Sequence, residues 1–401
     1  MPIEDFDFAK FIAPISYDTF TQEYWEKKPL IVHRRVSNYY QELFSKQALD
    51  SVLFYSRPKP PELRVVKHQQ EVFPDKYIKQ DGSLNLNQLY KLYDEGHTLV
   101  INGLHQFWLP LTIFCRNLQL SLNHTVIANC YLSPKQSKGL MPHYDTHDVF
   151  VLQIAGAKQW YIHEAPQPVP LLNTFQPIIP EEKLSEPLHT IDLEAGDLLY
   201  IPRGFIHHAA AKDSSSLHLT IGCYISQWFD LLIHALTCVS LKNPEFRQAL
   251  PLGYLQGSEI RPNLQAKFQL LSEKFCQEAN FEEAMEVMVE NFIRQMTPVP
   301  DGHLSQVDDL DAIALDTTVA KRKGMVCRLI PQGNFISIQF PGNTIKGGRH
   351  LEAALSFISN AESAFSVGSL PNNLADDGKI ELIRRLIRGG LLCQVKEQAR
   401  G

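Results

Sequence analysis

Two stretches of the chain decide its fold: Met141-Pro-His-Tyr-Asp-Thr-His-Asp-Val-Phe150 and Gly196-Asp-Leu-Leu-Tyr-Ile-Pro-Arg-Gly-Phe-Ile-His207. In the first, His143 and Asp145 are two positions apart, and alternate side chains of an extended segment point the same way, so both can bind one ion. The second predicts a glycine turn and then a short apolar strand closed by proline, with His207 at the far end of that strand. Two imidazoles and one carboxylate are the ligand set of non-haem iron(II) with open coordination positions. The pattern therefore predicts a metal site on a β-rich fold.

Short apolar segments on either side of these stretches predict a β-rich region between about residues 100 and 228. We predict strands over residues 98–101, 125–132, 149–154, 158–162, 198–201 and 216–224. The sequence Ala155-Gly156-Ala157 predicts a hairpin turn between the third strand and the fourth. Many short strands separated by turns at these intervals are typical of a jelly roll, the architecture that includes cupins.

Other elements are predicted on both sides of this core. In front of it, the sequence from Asp18 onward is typical of a capped short helix, followed by a strand over residues 29–33. Behind it, apolar residues at intervals of three and four predict amphipathic helices. These helices are expected over residues 229–241, 263–279 and 281–296. Further on, strands are expected over residues 325–330 and 335–340, with helices over residues 350–358 and 379–388.

The length of 401 residues exceeds what one hydrophobic core usually supports, so several domains are expected. We predict a β-rich cupin domain with an N-terminal α/β elaboration over residues 1–228. A helical domain is predicted over residues 229–298. After a proline-containing linker, a small winged-helix-like domain is predicted over residues 305–401.

Composition excludes several classes of function. The formal net charge is −6 and the pI is about 6.2, so direct nucleic-acid binding is not expected, because phosphate neutralisation needs a basic surface. No uncharged apolar run approaches the length of a membrane span, and the first residues lack a signal-peptide pattern. We therefore expect a cytoplasmic protein, or a nuclear or nucleolar one in a eukaryote. The seven cysteines contain no CxxC pair, which argues against a zinc knuckle and a secreted disulfide framework.

A His-x-Asp pair alone is a weak signal, but several longer motifs surround this one. With them the chain resembles the JmjC-type ribosomal oxygenases, cupin-fold iron(II) and 2-oxoglutarate hydroxylases that modify residues of ribosomal proteins. The motifs are Tyr24-Trp-Glu-Lys-Lys-Pro-Leu-Ile31, Asn129-Cys-Tyr-Leu-Ser-Pro134, Pro142-His-Tyr-Asp145, Val149-Phe-Val-Leu-Gln-Ile-Ala-Gly-Ala-Lys-Gln-Trp160, the stretch from Gly196 to His207, and Ser216-Leu-His-Leu-Thr220. They span about half of the chain.

The resemblance implies a set of site residues and a chain organisation. It implies a double-stranded β-helix, the JmjC form of the cupin jelly roll, followed by a helical dimerisation region and a winged-helix-like C-terminal domain. It also implies Fe(II), 2-oxoglutarate as cosubstrate, dioxygen, a homodimer, and a ribosomal protein substrate hydroxylated on a histidine or an arginine. The metal ligands would be His143, Asp145 and His207, and the cosubstrate would be bound by Lys158, Asn129, Tyr131 and Thr220.

The chemistry of such a cosubstrate supports Lys158 independently. Of the two carboxylates of 2-oxoglutarate, a metal can bind one together with the keto oxygen, and the other needs a cation inside the barrel. A lysine just past a hairpin can supply that charge, although a solvated strand lysine is the plainer alternative. Asn129 and Tyr131 share a face by their spacing, as do His218 and Thr220, and ordinary packing of the barrel is the alternative for them.

Three further histidines lie near the predicted ligands in the sequence. We expect His208 to point away from the metal, because it follows His207 on an extended segment. His147 lies beyond the His-x-Asp pair and is a poor candidate for a ligand. His218 is expected to support the site from behind, since the ligand set is already complete.

Three other functions are compatible with the sequence. One is N-methyl-lysine demethylation, which uses the same chemistry because hydroxylation of an N-methyl group releases formaldehyde. Another is a cupin isomerase or dioxygenase that needs no 2-oxoglutarate, and succinate formation would distinguish it. The third is a binding module without activity, which metal binding would distinguish. Lys158 argues against the second and the intact ligand set against the third.

Overall fold

The computed structural model describes residues 7–67, 70–138, 140–172, 174, 178–255 and 259–395. The chain divides into two compact units, Met1–Ile225 and Ser226–Gly401. Within the described residues, no helix has both the length and the apolar character needed to cross a membrane. The division into three domains stays a prediction.

The first unit is built around two antiparallel sheets. Its strands are β1 (Leu30–Val32), β2 (Leu63–Lys67), β3 (Gln70–Glu71), β4 (Thr98–Ile101), β5 (Thr125–Ser133), β6 (Asp148–Ala155), β7 (Ala157–Ile162), β8 (His189–Glu194), β9 (Leu198–Ile201), β10 (His207–Ala210) and β11 (Ser216–Tyr224). Its helices are α1 (Phe8–Ile12), α2 (Tyr17–Thr19), α3 (Lys46–Ser51), α4 (Leu86–Asp94) and α5 (Leu109–Leu122). The larger sheet has the order β1-β9-β6-β11-β5-β4-β2-β3, and the smaller one β10-β7-β8. The predicted cupin-type β-rich core is confirmed.

The central strands of the larger sheet are buried on both faces. In β6, Val149 and Val151 pack between the two sheets, whereas Phe150 and Leu152 pack on the other side in a core that includes α1, α3 and α5. The residues of β9 alternate in the same way. A strand covered on both faces has a continuous apolar sequence, and for that reason these strands were predictable.

Some elements differ from the prediction. Strands β2 and β8 were not predicted, because charged or polar residues interrupt the apolar ones along both. The helix expected from Asp18 begins at Tyr17 instead. Its cap is Ser16, whose hydroxyl oxygen accepts a hydrogen bond from the Thr19 amide at 3.0 Å, and the helix continues as a wider turn to Tyr24.

The turn predicted at Gly156 is confirmed, but it does not close a hairpin, because β6 lies in the larger sheet and β7 in the smaller one. Gly156 has a φ of +67°, and a Cβ built there would lie 1.8 Å from the carbonyl oxygen of Ser215. Only glycine fits such a position without displacement of the backbone. The turn therefore fixes the start of β7 and, with it, the position of Lys158.

The predicted position of His207 at the end of β9 is wrong. Strand β9 ends at Ile201, and the chain then crosses to the smaller sheet, where His207 opens β10 opposite Ile162 of β7. Pro202 has no amide hydrogen to continue the ladder. Gly204 completes the crossing with a φ of +91°, where a Cβ would lie 2.4 Å from a backbone oxygen.

The second unit begins with helices and continues with two small sheets. Its helices are α6 (Trp228–Lys242), α7 (Arg261–Glu278), α8 (Phe281–Gln295), α9 (His303–Asp308), α10 (Glu352–Asn360) and α11 (Asp376–Gly389). Its strands are β12 (Thr318–Lys321), β13 (Arg328–Gln332), β14 (Phe335–Phe340), β15 (Asn343–Gly348), β16 (Phe365–Ser366) and β17 (Leu392–Gln394). The sheets have the orders β16-β12-β17 and β13-β14-β15. The predicted helices over 229–241, 263–279 and 281–296 are confirmed to within a few residues.

Candidate metal centre

The two segments that carry the predicted ligands are joined through their backbones. His143 and His207 form an isolated antiparallel bridge, in which each amide donates to the other residue's carbonyl oxygen, at 3.3 Å and 2.8 Å. The Gly204 amide donates to the carbonyl oxygen of Asp145 at 2.9 Å. The loop before β6 and the loop before β10 therefore lie side by side.

This pairing brings the three predicted ligands together. The carboxylate of Asp145 lies 4.0 Å from Nε2 of His143 and 3.5 Å from Nε2 of His207. One ligand atom from each of the three residues lies within 4.8 Å of the others. Such spacing leaves room for one ion between them.

Backbone carbonyl groups set the tautomer of both histidines. Nδ1 of His143 lies 2.8 Å from the carbonyl oxygen of Met141, and Nδ1 of His207 lies 3.0 Å from that of Phe205. A carbonyl oxygen only accepts, so each Nδ1 carries the proton and each Nε2 presents a lone pair. Burial, together with the neighbouring His143, lowers the pKa of His207 to about 4, which keeps its imidazole neutral. Two neutral imidazoles and a carboxylate fit Fe(II).

A cavity of about 420 Å³ opens beside these three residues. The four other predicted site residues also line it: Asn129, Tyr131, Lys158 and Thr220. The first two lie on β5 and Thr220 on the adjacent strand β11, directly opposite Asn129 in the register. The structure thus brings all seven predicted residues to one cavity.

Lys158 is a buried cation in this cavity. Its side chain is only 4% exposed, and Nζ donates to the Ser133 hydroxyl at 3.2 Å. Among the residues that the structure describes, no carboxylate lies within ion-pair distance of it. Burial lowers its pKa to about 8, so the ammonium form still prevails at neutral pH. A buried cation without a protein anion fits a bound carboxylate.

Two ring nitrogens at the cavity wall also lack a partner among the described residues. They are Nδ1 of His218 and Nε1 of Trp160, both buried. His218 stacks on Tyr131 with ring centroids 4.9 Å apart and an interplanar angle of 4°. Trp160 was not predicted as a site residue, although its spacing of two from Lys158 on β7 places both on one face. Arg64 was missed as well, because its strand was missed.

The remaining histidines are held outside the three-residue cluster. His208 stacks on Tyr161, with ring centroids 4.7 Å apart, and its Nε2 lies 3.3 Å from Nε2 of His163. His147 stacks on Tyr224, with centroids 4.5 Å apart. The expectation that His147 and His208 are not part of the ligand cluster agrees with this geometry.

A network of charges ties the exposed Glu26 of the N-terminal segment to the buried Arg203 and Asp148 near the loop before β10. The Arg203 guanidinium lies 3.3 Å from the Asp148 carboxylate and 2.5 Å from that of Glu26. The Arg203 amide also donates to Asp148 at 2.7 Å, and the Glu26 amide donates to the Tyr200 hydroxyl at 3.0 Å. Burial raises the pKa of Asp148 to about 7, although its hydrogen bonds from Arg203 oppose that rise.

Comparison with known proteins shows what this chain is similar to. The family model of the JmjC domain matches residues 108–231. The bifunctional lysine-specific demethylase and histidyl-hydroxylase NO66 of Dictyostelium discoideum is 31% identical over 334 residues, which are 79% of this chain and 64% of that protein. Ribosomal oxygenase 2 of Rattus norvegicus is 34% identical over 241 residues, 57% of this chain and 50% of that protein. The aligned regions thus leave a third to a half of these relatives' own length unmatched.

Solved structures share the fold over almost the whole chain. A crystal structure of the Escherichia coli ribosomal oxygenase YcfD covers 95% of this chain and 98% of its own, with a TM-score of 0.55 and 18% identity. A YcfD structure in complex with cobalt and 2-oxoglutarate covers 96% and 99%, with a TM-score of 0.53 and 17% identity.

Residues 108–231 therefore match the JmjC domain. The relatives confirm the resemblance to the ribosomal oxygenases that the sequence motifs predicted.

We predict that His207→Ala abolishes tight metal binding, because two remaining protein ligands cannot hold an open site firmly. Titration with Co(II), followed by its visible absorption, measures the loss. His208→Ala is the matched control, since it removes the adjacent imidazole, and it should retain the wild-type Co(II) spectrum. Loss of the spectrum in His208→Ala but not in His207→Ala would contradict the assignment.

Proposed function

We propose that this protein is an Fe(II)- and 2-oxoglutarate-dependent oxygenase that hydroxylates a histidine or arginine side chain of a ribosomal protein. The observation that carries the proposal is the combination in one cavity of the His143, Asp145 and His207 cluster with the buried, carboxylate-free cation of Lys158. The names of the relatives support the same chemistry.

Each residue of the cavity has a proposed role. His143, Asp145 and His207 hold the metal and leave coordination positions open for cosubstrate and dioxygen. The Lys158 ammonium pairs with the distal carboxylate of 2-oxoglutarate, beside the polar groups of Asn129, Tyr131 and Thr220. When bound, Fe(II) and 2-oxoglutarate supply the activation of dioxygen that places a hydroxyl group on an unactivated carbon, with succinate and carbon dioxide as coproducts.

The protein itself contributes order and the exclusion of water. Carbonyl groups hold both imidazoles in the tautomer that a metal needs, so no proton has to move when the site is loaded. The apolar cluster between the two sheets walls the cavity and limits side reactions. The backbone bridge between His143 and His207 keeps the ligand positions fixed before the metal binds.

N-methyl-lysine demethylation is a second candidate, favoured by the name of the Dictyostelium relative, which includes both activities. The same cavity could perform it, because the step differs only in the carbon that is hydroxylated. Formaldehyde release distinguishes this function, since hydroxylation of a ring or an alkyl carbon releases none.

We also propose a homodimer that forms through the first helix of the second unit. On α6, the side chains of Phe229, Leu232, Ile233 and Leu236 are between 37% and 57% exposed. Their spacing of three, four and seven residues places them on one stripe of the helix. An exposed stripe of this kind marks an interface, and a two-fold dimer is the commonest closed assembly.

Two finer expectations from the sequence are kept as parts of this proposal. One is that residues 305–401 form a winged-helix-like domain that serves as scaffold. The helices α10 and α11 and the three-stranded sheet β13-β14-β15 around one apolar cluster support it. The other is a cytoplasmic location, or a nuclear or nucleolar one in a eukaryote, which imaging of the tagged protein would test.

The proposed activity predicts a mass change in one or more ribosomal proteins. Ribosomal proteins from cells that carry the gene should be heavier by one oxygen atom than those from cells without it. Intact-mass measurement detects the change, and tandem fragmentation locates the residue. Cells complemented with the Asp145→Ala variant should show the lighter mass. Identical masses in all three samples would contradict a ribosomal substrate.

Lys158→Met should weaken 2-oxoglutarate binding by about 2–5 kcal/mol, because one carboxylate loses its buried partner. Calorimetry of the Zn(II)-loaded protein measures the change. Lys212→Met, which removes a half-exposed lysine paired with Asp192, is the control and should bind 2-oxoglutarate normally.

Since the pKa of Lys158 is about 8, the affinity of the wild-type protein for 2-oxoglutarate should fall as the pH rises through that value. The pH dependence should be absent from Lys158→Met.

Leu232→Glu should shift the protein from dimer to monomer, because a buried carboxylate opposes the apolar contact. Sedimentation equilibrium should then give the 45.7 kDa monomer. Leu252→Glu, at a residue of the same unit that is 98% exposed outside the helices, should remain dimeric. A wild-type protein that is monomeric at micromolar concentration would reject the dimer.

A further inference from the structure

A second cavity lies next to the one that holds the metal cluster. Its volume is about 390 Å³, and we call it the flanking cavity. Four residues line both cavities: Lys138, Leu140, His208 and Ala209. The His208 side chain therefore stands in the wall between the candidate reaction site and the flanking cavity.

Hydrogen bonds determine which nitrogen of His208 carries the proton. Nδ1 of the buried His163 lies 2.8 Å from the carbonyl oxygen of Ser185, so this nitrogen donates. In an imidazole whose single proton is on Nδ1, Nε2 is an acceptor, so Nε2 of His163 accepts. The Nε2 of His208, 3.3 Å away, must then donate to it. Nδ1 of His208 is left with a free lone pair.

The tautomer of His208 is the opposite of the tautomer of the two histidines in the metal cluster. His143 and His207 are protonated on Nδ1 and present Nε2, whereas His208 is protonated on Nε2 and presents Nδ1. The ring of His208 is fixed on one face by Tyr161, with an interplanar angle of 11°. No hydrogen-bond partner for Nδ1 of His208 exists among the described residues. The side chain is thus a fixed acceptor that faces an N–H or O–H donor of a ligand bound in the cavity.

The rest of the flanking cavity indicates the kind of donor. Met141, Pro142 and Leu184 supply apolar wall, which suits an alkyl stem. Glu181 supplies a carboxylate, which lies 3.4 Å from Lys138. Both side chains of that pair are more than half exposed, and exposed ion pairs contribute little, so the carboxylate can exchange partners. A guanidinium carries several N–H donors in one plane and can serve two acceptors at once.

We propose that the flanking cavity binds an arginine side chain next to the modified residue of the substrate. His208 accepts a hydrogen bond from the guanidinium through Nδ1, and Glu181 pairs with its charge. His208 is on this view a residue that determines substrate specificity, with no part in metal binding. The inference rests on the proposed function in one respect, namely that the bound guanidinium belongs to a protein substrate.

The tautomer and the binding are tested together by NMR, with n-butylguanidinium as the probe. Zinc-loaded protein with 2-oxoglutarate is labelled with ¹⁵N at histidine, and assignments come from single-histidine variants. His208 should show its proton on Nε2, opposite to His143 and His207. The probe should move the Nδ1 resonance of His208 upfield, because that nitrogen accepts a hydrogen bond. A proton found on Nδ1 of His208, or an unmoved resonance, would overturn the proposal.

Variants assign the contacts. His208→Leu should raise the dissociation constant of n-butylguanidinium about tenfold, the usual effect of losing a hydrogen bond to a charged group. His208→Gln supplies a carbonyl acceptor and should restore much of the affinity. Glu181→Gln should weaken binding, while the matched control Glu182→Gln should not.

An uncharged probe separates a guanidinium subsite from a merely apolar cavity. Binding of n-pentanol as tight as that of n-butylguanidinium would reject the charged contacts. None of these measurements requires turnover or a ribosomal substrate. Failure of this proposal is therefore distinguishable from failure of the proposed function.

Discussion

The burial of the central strands of the larger sheet on both faces is the constraint on which the rest of the first unit depends. One face packs on the N-terminal helices, and the other encloses the space between the two sheets. That space must be partly filled by apolar side chains and partly left open as a cavity. Strands β5 and β11 leave it open where Asn129, Tyr131, His218 and Thr220 line the cavity, and β7 adds Lys158 beside the apolar Trp160. The site is thus a region where the apolar core is interrupted by residues that need a ligand.

Much of the first unit was predictable from the sequence because two-sided burial leaves continuous apolar runs. Strands β4, β9 and β11 have the predicted bounds, and the glycine turn between β6 and β7 is where its sequence placed it, although it joins two sheets instead of closing a hairpin. Strand β8 was not predictable in this way. Four of its six residues are exposed, so its apolar pattern is too sparse to stand out from a turn.

The candidate site shows the same division between local and long-range information. Because alternate side chains of an extended segment point the same way, the sequence predicts that His143 and Asp145 share a side. The same rule places Trp160 beside Lys158. The crossing of His207 to the other sheet depends on Pro202 and on a glycine that packs against a distant backbone oxygen. The histidine tautomers depend on carbonyl groups whose orientation only the folded backbone sets. No pattern of residue types contains that information.

The ion pair between Arg203 and Glu26 couples the release of the N-terminal segment to metal binding at the candidate site. The guanidinium joins Glu26 to Asp148, and the Arg203 amide belongs to the loop that leads to His207. A metal ion that stabilises this loop raises the free energy needed to release the segment around Trp25. By linkage, release of that segment weakens metal binding by the same free energy. Amide hydrogen exchange near Trp25, more than 100 positions away in the sequence from the proposed ligands, is thus a measure of metal occupancy.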